Sequence, residues 1–223
     1  MPSPAAPGID ATECTAPPVA GLLLAAGAGR RMGRPKALIR SVPDGPTLVE
    51  RGIGALRVGG CAQVVVIVGA AAHEVGELAR AAGAAVVEAA GWAGGMGFSL
   101  RAGLDSLQAG WSAAAADSPA AALVLLVDLP DIGPDVVARV LATAAGPSAH
   151  GPPVERRLAR AAYDGRPGHP VLIGRDHWPA AMTAASGDRG ARDFLADAKV
   201  SLIECGDLAT GRDADTPSDL DER

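Results

Sequence analysis

The segment 21–36, GLLLAAGAGRRMGRPK, joins an apolar run to a glycine-rich loop that carries a cluster of cations. Glycines let backbone N–H groups converge on an anion, and Gly27 and Gly29 permit close approach and a positive φ. Arg31 and Lys36 add side-chain positive charge to these N–H groups. The segment therefore predicts a cradle for a polyphosphate.

The spacing of the loop glycines differs from that of two common phosphate-binding loops. The dinucleotide fingerprint is G-x-G-x-x-G, and the spacing of Gly27, Gly29 and Gly33 is one residue too long for it. The Walker loop requires a lysine and then Ser or Thr directly after its last glycine, whereas Arg34 follows Gly33 here. Both a nicotinamide-dependent oxidoreductase and a P-loop kinase are therefore disfavoured.

Bulk composition narrows the class of protein. The chain has 223 residues, 48% of them hydrophobic, which is enough for one sizeable core. We expect a disordered leader over residues 1–18, which are rich in Pro, Ala and Thr, and a single domain over residues 19–223. The net charge of −5 argues against a nucleic-acid partner.

The cysteines and the hydropathy of the chain indicate the cellular compartment in which the protein is expected. The three cysteines, Cys14, Cys61 and Cys205, are scattered along the chain and form no C-x-x-C pair. This distribution favours a reducing cytoplasm over a disulfide framework, and it makes a zinc site unexpected. No apolar run is long enough to cross a membrane, so we expect no membrane partner.

Strand and helix patterns alternate through the first two thirds of the chain. Short apolar runs predict strands at 19–26, 62–69, 84–89 and 121–130. Helical spacing and end signals predict helices at 47–59, 72–83, 97–110 and 133–146. The first of these helices begins with a capping-box pattern, Thr47 and Glu50. The alternation predicts a three-layer α/β fold, an open and mostly parallel sheet with helices on both faces.

The last third of the chain has a different pattern. It predicts a hairpin over 157–174, a helix over 188–198, a strand over 199–205 and a turn into a terminal helix at 213–220. Low-complexity stretches at 111–120 and 145–156 predict loops. In open α/β sheets ligands bind beyond the carboxyl ends of the strands, so the loops after the first, third and fourth strands are expected on one rim.

Motifs along most of the chain resemble one family. The string LLAAGAGRRMGRPKALI is similar to the signature of the sugar-nucleotide-type nucleotidyltransferases and, more narrowly, of the MobA-like NTP transferases. Within that family the resemblance is closest to the molybdenum cofactor (molybdopterin) cytidylyltransferases. Further similar segments follow in the family's order: GWAGGMGFSLRAGL (91–104), LVDLPDI (126–132), GRPGHPVLI (165–173), GDRGARDFL (187–195) and DADTPSDL (213–220). The resemblance implies the Rossmann-like nucleotide-diphospho-sugar transferase fold over about residues 19–222.

The resemblance also implies a nucleotide site formed by the first loop and the segment after the third strand. The residues implied in nucleotide binding are Leu24, Ala25, Ala26, Gly27, Gly29, Arg31, Met32, Gly33, Lys36, Gly94, Gly95 and Ser99. Ser99 has an ordinary alternative as a residue in the first turn of a helix. Family members with L-A-A-G tend to use CTP and those with L-A-G-G tend to use GTP, so residues 24–27 imply CTP.

A metal and an acceptor site follow from the same resemblance. Asp128 is implied as a ligand of Mg²⁺, a cation that prefers oxygen ligands and bridges carboxylates to substrate phosphates. One of Asp213 and Asp215 is implied as the second ligand, and the sequence leaves open which one. His169 is implied to contact the acceptor, with a purely structural role as the equal alternative. The residues implied in catalysis are Arg31, Lys36 and Asp128.

The implied reaction is nucleotidyl transfer to a phosphorylated acceptor, which the resemblance implies to be the molybdenum cofactor. The terminal phosphate of the acceptor attacks the α-phosphorus of CTP, and pyrophosphate leaves. A phosphomonoester is mostly dianionic at neutral pH, so no strong general base is required. Two alternatives stay open: the same enzyme class with another phosphorylated acceptor, such as a sugar phosphate or phospholactate, and a non-catalytic nucleotide-binding regulator. The macromolecular partner that the resemblance implies is a molybdoenzyme or its chaperone.

Overall fold

Seven strands lie side by side in one sheet, in a computed structural model that describes residues 17–110, 118–146, 151–216 and 219. The strands are β1 (Val19–Leu24), β2 (Gln63–Val68), β3 (Ala85–Glu88), β4 (Ala121–Leu126), β5 (Leu158–Tyr163), β6 (Arg166–Gly174) and β7 (Ser201–Glu204). Their order across the sheet is β3-β2-β1-β4-β6-β5-β7. The first four strands are parallel, whereas β6 runs antiparallel to both β4 and β5.

The parallel half of the sheet sets the position of the predicted loops. Leu24, the last residue of β1, pairs with Ile67 of β2 on one side and with Leu126 of β4 on the other. Because these strands end at the same level, the loops that follow β1 and β4 begin side by side. The expectation that they share one rim of the sheet is confirmed by this register.

Helices cover both faces of the sheet. They are α1 (Leu48–Val58), α2 (Ala72–Ala81), α3 (Met96–Ala109), α4 (Pro134–Ala144), α5 (Trp178–Ala184) and α6 (Arg192–Asp197). The buried stripes of α1, α2 and α4 form one core with Leu23, and those of α3 and α5 form a second core with Leu22. Successive strand residues point to opposite faces, so β1 contributes to both cores. The predicted three-layer α/β fold is confirmed.

Several predicted boundaries shift in the structure. The strands predicted at 19–26 and 121–130 end at Leu24 and Leu126, so Asp128 lies in the turn beyond β4 and does not end the strand. The predicted helix 188–198 is divided, because Gly190 adopts φ 56° and separates a 3₁₀ turn, Gly187–Arg189, from α6. The short helix α5 was not predicted by the sequence pattern.

Some predictions concern residues that the structure does not describe. The leader lies outside the described residues over 1–16, and so do 111–117 and 147–150 of the two predicted loops. Residues 217–218 and 220–223, which include most of the predicted terminal helix, lie outside them as well. Among the described residues, no helix combines the length and apolar composition that crossing a bilayer requires.

The start of α1 confirms the predicted capping box and gives a stability prediction. The Thr47 hydroxyl accepts from the Glu50 N–H, and the Glu50 carboxylate accepts from the Thr47 N–H at 2.7 Å. Thr47→Ala removes the hydroxyl, so we expect the free energy of unfolding in urea to fall by about 1 kcal/mol. Thr183→Ala, which alters an exposed hydroxyl in α5, is the control and should change it little.

The contribution of this capping box to the stability of the fold should depend on pH. The hydrogen bonds from the Thr47 side chain and then its backbone lower the pKa of Glu50 from 4.5. A carboxyl with a lowered folded pKa stabilises the fold above its unfolded pKa, and this contribution is lost as the pH falls through the folded pKa. The difference between wild type and Thr47→Ala should therefore shrink in acid, and an unchanged difference would contradict the cap's ionic character.

Candidate active site

The loop after β1 is shaped by glycine conformations and anchored at its far end. Gly29 adopts φ 60°, and a Cβ there would overlap the carbonyl oxygen of Arg34, so only glycine fits. Gly27 has no positive φ, which corrects that part of the expectation, but a Cβ on it would meet no atom within 4 Å. After the loop, Ala37 and Leu38 are buried in the core, and this fixes the start of the turn that carries Lys36.

The first part of this loop leaves its backbone donors available. The Ala25 N–H still donates to the Ile67 carbonyl, as a continuation of the sheet. Within the described part of the chain, the N–H groups of residues 26–29 donate to no other protein group. Such a run of free N–H groups next to Gly27 is the feature that an anion-binding loop requires.

Lys36 is the centre of a charged cluster. Its Nζ donates to Asp128 Oδ2 at 2.9 Å and to Asp215 Oδ1 at 2.7 Å, and its side chain is only 16% exposed. Arg31 Nη1 donates to the other oxygen of Asp215 at 2.8 Å, although Arg31 is 77% exposed. Burial alone would lower the pKa of Lys36, but the hydrogen bond to Asp215 and the charge of Asp128 raise it overall. Lys36 is therefore a cation at any physiological pH.

Asp213 and Asp215 lie in different surroundings on either side of a buried residue. The N–H of the fully buried Ala214 donates to the Asp128 carbonyl at 2.8 Å, which fixes this turn beside the end of β4. The hydrogen bond from Lys36 lowers the pKa of Asp215. Desolvation, followed by the negative charge of Asp128, raises the pKa of Asp213. Asp213 is therefore the carboxylate of this pair whose charge is less well compensated.

The segment after β3 closes against the last third of the chain. Gly95 adopts φ 113°, and a Cβ on it would overlap the backbone of Gly187. A Cβ on Gly97 would likewise meet the backbone of Ser186. These close approaches bring Asp188 to the start of α3, opposite the glycine loop. The buried Ser99 lies one turn into that helix.

Two clefts open on this rim and meet. The first has a volume of about 390 Å³ and the second about 330 Å³. Predicted residues that line the first cleft are Leu24, Ala26, Gly27, Gly29, Lys36, Gly95, Ser99 and Asp128. The second cleft contains the predicted His169 and Asp213, again with Asp128. Residues common to both walls are Leu24, Met96, Leu126, Asp128 and Asp188, so the clefts are neighbours with Asp128 between them.

The remaining predicted residues line neither cleft. Ala25 is buried in the core, and Gly94 packs under the ring of Phe98. Met32 and Gly33 lie beyond the cleft wall, in the outer part of the glycine loop. Arg31 and Asp215 reach the site through the ion pairs to Lys36 rather than by lining a wall.

Other residues of the clefts carry no role in the sequence interpretation. Arg160 lines the second cleft. The sequence could have indicated this residue as a candidate for the site, because a charged side chain is rare inside an apolar strand such as LARAAY. Asp188 lies in both clefts, within a segment whose role the resemblance leaves open. Trp92 and Met96 pack on the core and also line the first cleft.

The second cleft has a basic wall. Arg160 Nε donates to the Gly168 carbonyl at 3.0 Å, and the Tyr163 hydroxyl donates to the His169 carbonyl at 2.6 Å. Burial, and then the charges of Arg160 and Arg192, lower the pKa of His169 to about 4. Burial and the charge of Arg192 lower the pKa of Arg160 as well. The two guanidinium groups and the neutral imidazole therefore lie close together.

His169 should stay neutral in solution, which NMR can test. In a ¹H–¹⁵N titration, with the signal assigned by its loss in His169→Gln, we expect a midpoint at about pH 4. Because the folded pKa is lowered, the unfolded chain binds the proton more tightly, so this group removes stability as the pH falls from about 6.5 toward 4. Wild type should therefore lose more stability than His169→Gln over that range, and a titration midpoint near about 6.5 would refute the burial argument.

The acids at the junction of the two clefts, Asp128 and Asp213, fit a divalent cation that they would share with a bound ligand. Among the described residues, no three carboxylate, imidazole or thiol groups are arranged to hold a metal ion by themselves. Asp128 and Asp213 nevertheless offer hard oxygen ligands. Burial, and then the negative charge of Asp128, raise the pKa of Asp213, and a bound cation would offset both effects. An ion held by one or two carboxylates together with substrate phosphates is the arrangement that Mg²⁺ favours.

One family profile and one named protein each match most of this chain. The profile of the MobA-like NTP transferase domain matches residues 21–202. The nicotine blue oxidoreductase of Paenarthrobacter nicotinovorans is 40% identical over 210 residues, which cover 90% of this chain and 93% of that protein.

Solved structures show the same fold at lower identity. Rv0371c from Mycobacterium tuberculosis H37Rv has a TM-score of 0.69 and 24% identity, over 94% of this chain and all of that chain. The structure of that protein in complex with manganese has a TM-score of 0.62, with 22% identity over 88% of this chain and 94% of that chain. Molybdopterin-guanine dinucleotide biosynthesis protein A from Archaeoglobus fulgidus has a TM-score of 0.60 and 17% identity, over 92% of this chain and 95% of that chain.

Proposed function

The chain belongs to the MobA-like NTP transferase family, and from this premise we propose that it transfers the cytidylyl group of CTP to a phosphorylated acceptor. The acceptor is the molybdenum cofactor, and the second product is pyrophosphate. The observation that carries the proposal is the meeting of the two clefts at Asp128. Two bound substrates there would present an α-phosphorus and an attacking phosphate to each other across one carboxylate.

The roles of the residues follow from charge. The free N–H groups of residues 26–29 and the ammonium of Lys36 hold the triphosphate and take up charge that develops on the leaving pyrophosphate. Asp128 and Asp213 hold a divalent cation, Mg²⁺ in the cell, which when bound supplies Lewis-acid stabilisation to the reacting phosphates. Arg31 keeps Asp215 oriented beside Lys36. Bringing two polyanions together is the main barrier, and these groups reduce it by neutralisation and alignment.

The preference for CTP rests on the first loop. Ala26 and Gly27 line the first cleft, where the methyl group of Ala26 occupies space that a glycine would leave free. We expect this methyl group to limit how closely a base approaches the backbone and so to favour the smaller pyrimidine. Ser99, Gly94 and Gly95 belong to the segment that we assign to base recognition on the opposite wall.

Pyrophosphate release tests the proposal directly. Purified protein is mixed with Mg²⁺ and each of CTP, GTP, ATP and UTP, with and without molybdopterin-type acceptor. We expect release that requires both CTP and the acceptor. Release with another nucleotide would keep the reaction and overturn the base assignment. Nucleotide binding without release, for every acceptor tried, would overturn the enzyme assignment and favour a nucleotide-binding regulator.

Compartment and partners follow from the same proposal. Cys61 and Cys205 are buried free thiols, and burial raises the pKa of Cys61 to about 12, so it is unreactive. We place the enzyme in the cytoplasm, where it would deliver its product to a molybdoenzyme or to that enzyme's chaperone.

The relative named as an oxidoreductase favours a second candidate function. In that case a reduced nicotinamide nucleotide in the first cleft would pass a hydride to an oxidised compound in the second, and solvent would supply a proton. Hydride transfer from nicotinamide requires no divalent cation, so the cluster of Lys36, Asp128 and Asp213 would have no chemical use. Loss of nicotinamide absorbance with a dye acceptor, unaffected by EDTA, would support this candidate over nucleotidyl transfer.

A further inference from the structure

We propose that Arg160 and Arg192 form a receptor for a doubly charged phosphomonoester group in the second cleft, and that this receptor selects the acceptor. The inference rests on the proposed function, because it identifies which part of the acceptor the protein recognises. It concerns residues outside the glycine loop and outside the acids at the junction.

The first argument is the absence of a counter-charge. In residues 17–110, 118–146, 151–216 and 219, no carboxylate lies within 4.0 Å of the guanidinium of Arg160 or Arg192. By contrast, Arg189 in the same cleft is paired with Asp193. Arg160 is half-buried, so its unpaired charge is costly unless a ligand compensates for it.

The second argument is geometry. The hydrogen bond from Arg160 Nε to Gly168 holds the side chain in place and leaves its two terminal nitrogens available for a ligand. Arg192 is close enough to Arg160 and to Asp213 for its charge to affect the pKa of both. Asp213, Arg192 and Arg160 all line the second cleft. An anion bound by the two arginines would therefore share this cleft with Asp213 and the proposed metal.

The third argument concerns the class of anion. Two guanidinium groups match two negative charges, and the planar donors of arginine suit phosphate oxygens. His169 beside them is neutral at pH 7 and can donate or accept one hydrogen bond without altering that charge balance. Part of the remaining wall is apolar, which fits an acceptor whose organic body has an apolar face, although Asp188 and Arg189 also line the cleft. The apolar part contains Leu100, Val124, Val171, Ile173 and Leu195.

The test uses the imidazole of His169 as a local reporter in the full chain. Inorganic phosphate is titrated into wild type, Arg160→Gln, Arg192→Gln and, as a control, Arg166→Gln, whose side chain is exposed at the hairpin and outside the cleft. We expect phosphate to shift the His169 resonances in wild type and in Arg166→Gln. Affinity should fall by about tenfold or more in the two cleft variants, and acetate should bind more weakly than phosphate.

The phosphate titration and the activity assay together distinguish failure of this inference from failure of the proposed function on which it rests. If phosphate shifts His169 as expected but no cytidylyl transfer occurs, the receptor stands and the acceptor or reaction was misassigned. If transfer does occur, Arg192→Gln should raise the KM for the acceptor about tenfold while the KM for the nucleotide stays unchanged. Arg192 is exposed, so this variant should fold even if Arg160→Gln does not.

Two results would overturn the proposal. One is a wild type in which phosphate leaves the His169 resonances unchanged. The other is an Arg192→Gln variant that binds phosphate and the acceptor with wild-type affinity.

Discussion

Lys36→Ala should lower kcat/KM for nucleotidyl transfer by about 10²–10³-fold, because it removes a preorganised donor from the place where phosphate charge develops. The loss has a second source. Without the ammonium, Asp128 and Asp215 lose the cation that lies between them, and their negative charges oppose a nucleotide triphosphate. The measurement is the initial rate of pyrophosphate release at saturating acceptor over a range of nucleotide concentrations.

The chain provides a matched control for this experiment. Its two lysines are Lys36 and Lys199, and Lys199 is exposed, lies near the start of β7 and lines neither cleft. Lys199→Ala should leave kcat/KM unchanged. Lys36→Arg keeps the charge but not the compact donor geometry, so it should recover only part of the activity. A Lys36→Ala variant that is folded and has nearly wild-type activity would refute the role of Lys36.

Asp128→Asn should reduce kcat by about 10³-fold while it leaves the fold intact. The amide is nearly isosteric, and the backbone carbonyl of Asp128 still accepts from the Ala214 N–H, so the neighbouring turn keeps its position. Only the anionic oxygen is lost, and with it the ligand that we assign to the divalent cation. The apparent affinity for Mn²⁺, measured by electron paramagnetic resonance with nucleotide present, should fall in parallel.

Asp105→Asn is the corresponding control, because Asp105 lies on the exposed face of α3 and lines neither cleft. It should change neither Mn²⁺ affinity nor kcat. A loss of activity in Asp128→Asn with unchanged Mn²⁺ affinity would mean that Asp128 acts by orienting Lys36 and not by holding the cation.

The sequence predicted the parallel half of the sheet well because its signals are local. β1 and β2 are continuous apolar runs, and the capping box at Thr47 and Glu50 needs only neighbours along the chain. The signal for the predicted phosphate-binding loop is local for the same reason, since the glycines and Lys36 follow β1 directly. The boundary of the domain and the roles of the individual site residues stay predictions.

The second cleft was harder to predict because distant segments build it. The hairpin of β5 and β6 sets Arg160 against Gly168, and the close approach of Gly95 to Gly187 positions the segment before Arg192. The turn that carries Asp213 and Asp215 is held by a hydrogen bond from the Ala214 N–H to the Asp128 carbonyl, far away along the chain. None of these contacts leaves a periodic pattern in the sequence.

The register between β1 and β4 has a consequence for how such proteins diversify. Leu24 and Leu126, paired at the ends of these strands, belong to the walls of both clefts. The proposed meeting point of the substrates thus lies at the ends of two central strands, whereas the residues that we propose to select the acceptor, Arg160 and Arg192, lie on β5 and at the start of α6. We therefore expect that exchange of the β5–β6 hairpin together with the start of α6 would give this scaffold a new acceptor, with Asp128 and the glycine loop unchanged.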